Sequence, residues 1–185
     1  MCGLTVSFGN NLSLGLHSKM TNDLYHRGPD FEKKLVINKN LIFGHNRLKI
    51  IDLSNKANQP LSARGCHLIF NGMIYNFLEL KKELRDFFYF KTNSDTEVIL
   101  ASYLRWGSKC FDKLDGMFSI VIWDEKLKEL IVSRDRLGIK PLYYRLYNEK
   151  LFISSEIKPL LRVGSYKVNE EIVFKYFKYS LYEYG

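Results

Sequence analysis

The 185 residues contain only three cysteines, Cys2, Cys66 and Cys110, an odd number with no CxxC pair among them. A disulfide framework is therefore excluded, and the four scattered histidines give no zinc-binding spacing. Long apolar runs are also missing. None approaches the roughly 18 to 20 residues that cross a bilayer, and the first residues lack the basic-then-apolar layout of a secretory signal. No internal repeat, low-complexity stretch or linker interrupts the chain before its end. These absences predict a single soluble unit in the reducing cytoplasm, with no membrane partner and no resident metal.

Acidic residues are in short supply, 20 against 28 lysines and arginines, for a formal charge of +8. A basic excess attracts nucleic acid when it gathers on one face. Here Lys33-Lys34, Lys81-Lys82 and Lys126-Lys128 alternate with Glu32, Glu79, Glu83, Glu125 and Glu129. Such interleaving belongs to a solvated surface, and no aromatic-basic motif accompanies it, so nucleic acid is not an expected partner. What is present in quantity is hydrophobic residue, 46% of the chain, with 15% aromatic. That supports one globular domain with a substantial core.

Cys2 is the most informative single residue. Removal of Met1 would leave a thiol and a free amine on one residue. The amine titrates near ~7.7 to 8.0 and the thiol near ~8.5, so nucleophile and base are matched at neutral pH. While Met1 remains, that base is tied up in a peptide bond and the chain is expected to be inactive. Cys66 and Cys110 read as small core residues.

Leu4 to Phe8 is a β-prone run that places Cys2 at the head of a strand, and Leu12 to Tyr25 predicts a helix ending near Gly28-Pro29. Leu35 to Ile37, Leu41 to Gly44 and His67 to Asn71 read as strands. Apolar residues at Phe77, Leu80, Leu84 and Phe87 have helical spacing. A second helix starts at Ser94, where Glu97 completes a capping box, and runs to Gly107. Met117 to Trp123, Glu129 to Ser133, Leu142 to Leu146 and Leu151 to Ser154 read as antiparallel meander strands. The order predicts an α+β layered domain and not a parallel βαβ sheet. Asn169 to Tyr182 predicts an aromatic-rich helix that exposes Phe174, Tyr176 and Phe177.

Several segments carry more Gly, Asn, Arg and Asp than packing needs: His26 to Asp30, Asn46-Arg47-Leu48, Asn71 to Asn76, Ser94 to Glu97 and Arg134 to Gly138. With the Met1-Cys2-Gly3 start, the Arg47 to Leu53 run, Gln59-Pro60-Leu61, Gly116 to Asp124, the extension to Tyr144 and Ser154 to Leu161, they make nine collinear matches. The chain resembles the N-terminal glutaminase domain of glutamine-hydrolysing asparagine synthetase, a class II amidotransferase of the N-terminal-nucleophile hydrolases. The resemblance covers residues 2–161. It implies a four-layer αββα sandwich of two antiparallel sheets covered by helices. Residues 162–185 would be a helical tail beginning a linker to a synthetase domain.

By that resemblance Cys2 attacks the side-chain amide of L-glutamine, forming a thioester that water resolves to glutamate, and ammonia is released. Asn71 and Gly72 match the oxyanion hole, although Asn-Gly by itself is more often a hairpin turn. Arg47 matches the grip on the α-carboxylate, a task that suits a guanidinium. Asp95 matches the receiver of the α-ammonium, although Ser94-Asp95 would also serve as a plain helix cap. Leu48, Ile50, Ile51 and Met73 complete the substrate set. The family often carries an acid at the Met73 position, which predicts weaker glutamine binding here. Arg134, Asp135 and Arg136 are expected to be structural.

No Ser-Gly-Gly-x-Asp-Ser phosphate loop occurs in these residues. ATP and Mg2+ are expected only in a synthetase domain or subunit, the implied partner, and a homodimer is compatible with the family. The ammonia acceptor, aspartate or another carboxylate such as a surface-polysaccharide sugar, stays open. A catalytically silent partner-binding module and an acylase of the same superfamily are the alternatives. The opposite charges of Arg47 and Asp95 disfavour the acylase.

Overall fold

A computed structural model describes residues 1–180. Its nine strands form two antiparallel sheets. The first has the order β2 (Phe31–Asn38), β3 (Leu41–Arg47), β1 (Gly3–Phe8), β9 (Lys150–Ser154), β8 (Tyr143–Tyr147). The second has the order β4 (Leu61–Ala63), β5 (Cys66–Ile74), β6 (Gly116–Asp124), β7 (Glu129–Arg134). Leu4, Val6, Leu41 and Phe43 of the first sheet pack on Ile69, Val121 and Trp123 of the second. Helices α1 (Leu14–Asn22) and α4 (Ile157–Leu160) cover the outer face of the first sheet. Helices α2 (Phe77–Leu84) and α3 (Asp95–Trp106) cover the second. The result is the αββα sandwich.

The strands β1 and β3 run down the middle of a sheet covered on both faces, which is why β3 is buried at every residue and shows no polar alternation. α3 is likewise buried from Asp95 through Tyr103. Ser94 caps it by accepting from the Glu97 N–H at 3.3 Å, but the reciprocal half of the expected capping box is absent: the Glu97 carboxylate is taken by the Lys91 and Thr92 N–H groups, and the Ser94 N–H donates to the Thr92 hydroxyl at 3.2 Å. α1 starts later than its apolar pattern suggests, because Ser13 captures the Leu16 N–H at 3.2 Å and sets the first turn.

The meander expectation is corrected in one respect. β6 and β7 form a hairpin in the second sheet, whereas β8 and β9 pair in the first. Alternation specifies that a segment is a strand, but not which of two sheets it joins. The crossing is made by the Arg134–Lys140 loop, where Gly138 adopts a φ of 64°. The last helix, α5 (Glu170–Tyr179), has no buried residue, and Phe174, Tyr176 and Phe177 are exposed as expected. The remainder of that expected helix, residues 181–182, lies outside the described residues. Among the described residues no helix is long and apolar enough to cross a membrane.

Two buried histidines bear on stability. His17 Nδ1 lies 2.8 Å from the Ser7 hydroxyl, and its Nε2 has no partner. His45 Nε2 donates to the Phe70 carbonyl at 3.1 Å, leaving Nδ1 without a partner. Burial lowers each to about 4. The unfolded chain therefore binds more protons than the folded one between pH 6.5 and 4, and stability falls as pH drops through that window. The expected loss is on the order of 3 kcal/mol per histidine once pH reaches the folded value. Denaturant melts at pH 7, 6 and 5 on Asp95→Asn, which removes the opposing contribution of that raised carboxyl, check this: a midpoint that stays level would show that neither histidine is held neutral.

Candidate active site

Cys2 sits at the entrance to β1, the central strand of its sheet. Its carbonyl accepts from Arg27 Nε at 2.9 Å, and Arg27 is held in turn by Glu156 at 2.9 Å. The Leu48 N–H points at the Cys2 sulfur from 3.4 Å. Cys2 is also the only partly exposed thiol, since Cys66 and Cys110 are buried and pushed up to about 11 and 12. Burial raises the Cys2 thiol as well, against the lowering effect of Leu48, the chain terminus and Arg47.

The opposing wall is β5, and its hydrogen bonds show how it is prepared. Along an antiparallel strand, backbone groups alternate between the two edges. On the edge away from β6, the Phe70 N–H donates to Gln59 Oε1 at 2.6 Å and the Ile74 N–H donates to Asp95 Oδ2 at 3.1 Å. The Gly72 N–H lies between them on that same edge, where the cavity opens, and it has no side-chain partner among the described residues. Glycine is required at this point because an added Cβ would stand 2.2 Å from the Met117 carbonyl and 2.8 Å from the Phe118 Cα. Next to it, the Asn71 side chain is 1% exposed and its amide nitrogen has no hydrogen-bond partner. A buried amide donor left unpaired is costly and calls for an explanation.

Arg47 ends β3 with its guanidinium clamped by the 48–58 loop. It donates to the Ser54 carbonyl at 2.8 Å, to Asn58 Oδ1 at 2.7 Å and to the Asp52 carbonyl. Asp95 opens α3, is 5% exposed, and accepts from the Ile74 and Thr96 N–H groups. Burial outweighs those two donors and pushes its carboxyl up to about 6. A buried carboxylate raised in this way gains most from a cation brought beside it.

A cavity of about 90 Å³ joins these groups: Cys2, Arg47, Leu48, Ile50, Ile51, Asn71, Gly72, Met73 and Asp95 all line it. The residues that the resemblance assigns to catalysis and substrate binding are therefore in one place. The structure adds supports that the sequence reading left unassigned. Gln59 ties β5 to α3 through Thr96 at 3.3 Å. His45 reaches across from the other sheet to the Phe70 carbonyl. Lys140 also lines the cavity, with its ammonium 3.5 Å from the Met1 sulfur. It is delivered there by a loop in which Asp135 accepts from the Phe118, Ile139 and Lys140 N–H groups. That gives the Arg134 to Gly138 motif the structural task expected of it.

The glutamine amidotransferase domain family matches residues 1–184. The chain belongs to that family. An asparagine synthetase (glutamine-hydrolysing) 3 of Bacillus subtilis is 39% identical over 170 residues, which are 87% of this chain and 27% of that protein. Amidase chry2 of Gibberella zeae is 42% identical over 142 residues, 75% of this chain and 21% of that protein. The chain thus spans about a quarter of the length of these relatives. Among solved structures, the glutamine phosphoribosylpyrophosphate amidotransferase of B. subtilis superposes with a TM-score of 0.74 at 23% identity, over 86% of this chain and 43% of that one. This likeness shows that the sandwich is the amidotransferase fold.

Proposed function

We propose that this domain hydrolyses the side-chain amide of L-glutamine at Cys2 and passes the ammonia to a synthetase domain or subunit that makes asparagine or a related amide. Once Met1 is removed, the α-amine of Cys2 takes the thiol proton and sulfur attacks the amide carbon. The developing oxyanion receives the Gly72 N–H and the Asn71 amide. The intermediate collapses, the α-ammonium gives its proton to the departing nitrogen, and ammonia leaves a thioester. Water, deprotonated by the same amine, then attacks the thioester and frees glutamate with the thiol restored. Arg47 takes the substrate α-carboxylate and Asp95 the α-ammonium. ATP and Mg2+ belong to the synthetase partner and enter none of these steps.

The observation that carries this reading is the unpartnered Asn71 amide nitrogen buried in the wall opposite a strand-head cysteine. An oxyanion hole is a set of donors kept free for a charge that exists only during reaction. The test is glutamate release from glutamine by protein whose intact mass shows Met1 removed. Correctly processed protein that releases none, alone or with a supplied synthetase partner, would favour the silent module.

The Asp95 carboxyl sets a pH dependence. With its value near 6, it is charged above that pH and neutral below, so the glutamine ammonium loses its counter-charge as pH falls. The KM for glutamine is expected to rise toward tenfold per pH unit below about 6, on top of a separate fall in kcat as the Cys2 amine is protonated. Asp95→Asn should raise KM at pH 7.5 and flatten this dependence. A KM for the unaltered protein that holds constant down to pH 5 would remove Asp95 from ammonium binding.

Met73 lies in register with Met117, and both line the cavity. Met73→Glu adds a carboxylate near the proposed ammonium position and is expected to lower KM about fivefold, the worth of a partly buried charged contact of roughly 1 kcal/mol. An unchanged KM would reject that account.

A further inference from the structure

A second cavity, of about 590 Å³, lies behind the active site between β4 and the 88–92 segment. Its walls are apolar and aromatic: Leu61, Ala63 and Leu100, with Phe88 and Phe90 packed edge to face at 5.2 Å and Tyr89 82% exposed at the rim. Two exposed lysines, Lys56 and Lys91, also line it. Their ammonium groups have no partner among the described residues. The one acid lining the cavity, Glu97, is committed: its carboxylate accepts from the Lys91 and Thr92 N–H groups and from the Thr92 hydroxyl at 2.7 Å. The volume falls in the usual range for small-molecule sites, about 300 to 1,000 Å³. A simple inorganic anion would leave the apolar walls unfilled, and a neutral apolar ligand would leave two ammonium groups unused. An occupant with a planar apolar body and a phosphate satisfies both.

The cavity is coupled by covalent adjacency to the glutamine site. Lys56 lines this cavity while its neighbour Ala57 lines the other. Both sit in the short turn Asn55–Ala57, inside the loop whose Asp52 and Ser54 carbonyls and Asn58 side chain clamp Arg47. On the far side, Thr92 lines this cavity while Ser94 and Asp95 line the active site. The two segments are tied together by the Asn93 N–H donating to Asp52 Oδ2 at 2.8 Å. A ligand that draws Lys56 and Lys91 together would pin the loop that positions Arg47.

We propose that this second cavity is a regulatory site for a mononucleotide, whose base lies on the aromatic wall and whose phosphate is taken by Lys56 and Lys91, and that its occupancy pre-organises Arg47 for glutamine. The regulatory half rests on the glutaminase reading above; the binding half does not.

AMP, adenosine and inorganic phosphate are titrated calorimetrically into Met1-processed protein, and AMP into Lys56→Ala/Lys91→Ala and into Tyr89→Ala, whose exposed site carries little folding risk. AMP is expected to bind at least about tenfold more tightly than either part alone, and to lose about tenfold or more in the lysine double variant. Saturating AMP is expected to lower the KM for glutamine about fivefold, the lower end of ordinary coupling between sites, in the unaltered protein and not in the double variant. No AMP binding at millimolar concentration, phosphate binding as tightly as AMP, or full binding by both variants would overturn the site. AMP binding with an unchanged KM would overturn the regulation. Calorimetry needs no turnover, so a protein that binds AMP but releases no glutamate counts against the catalytic reading and leaves the site standing.

Discussion

Cys2→Ala is expected to lower glutamate release on the order of 10⁵-fold to 10⁶-fold, to background, while the protein still folds and still binds glutamine. The size follows from the division of labour proposed for the site. When a nucleophile is removed, the base and the oxyanion donors have nothing left to assist, and the loss approaches that of the whole catalytic unit. The fold should survive because the Cys2 sulfur makes only the contact with the Leu48 backbone, while the position of the strand head is held by Arg27 gripping the Cys2 carbonyl. That bond is independent of the thiol. Hydrolysis is measured on protein shown by mass to lack Met1, with glutamine binding followed by thermal shift. Substantial activity in the alanine variant would move the nucleophile elsewhere, and neither Cys66 nor Cys110, both buried, is placed to replace it.

Asn71→Ala is expected to lower kcat about 10²-fold to 10³-fold, or 2.7 to 4 kcal/mol, the usual loss of one oxyanion donor. KM should change little, because the donor meets a charge that the bound substrate does not yet carry. Stability is the discriminating measurement. The Asn71 amide nitrogen is buried without a partner, so removing it takes away a desolvation cost and breaks no hydrogen bond at that atom. The melting temperature should hold or rise as the rate falls, the trade expected where a site keeps polar groups unsatisfied for catalysis. A melting temperature that falls with the rate would make Asn71 a structural residue. Gly72→Ala should behave differently. Its new Cβ would meet the β6 backbone at 2.2 Å, so the strand pair itself is expected to yield and both stability and rate to be lost.

The local features of the chain were legible because they are local. An N-cap needs only a side-chain oxygen ahead of the first turn, and Ser94 is read and built as one, whereas the Glu97 side chain goes to the 91–92 backbone. Cys2 by itself reads as an incidental cysteine, and only the motifs that accompany it point to a nucleophile. The motif residues Arg47, Asn71, Gly72 and Asp95 stood out through the family resemblance; singly they read as an ion pair, a hairpin turn and a helix cap. The supports were harder to see. His45 and Gln59 look like ordinary core and turn residues, and only their bonds to the Phe70 carbonyl and N–H show that they hold the edge of β5 that lines the cavity. Lys140 reads as one lysine among many until the loop turns it into the cavity.

The sequence by itself therefore determined the strand and helix types and the layered α+β class, since each depends on side-chain chemistry and on neighbours a few residues away, and through a family resemblance it proposed the reactive groups. Tertiary structure alone decided which sheet received β8 and β9, that the Asn71 amide would be left without a partner, that the 48–58 loop would clamp Arg47, and that Asp95 would be buried far enough to reach about 6. Those outcomes depend on desolvation and on contacts between residues far apart in the chain, as when Leu48 meets Cys2, and no local pattern encodes how much water a group will lose.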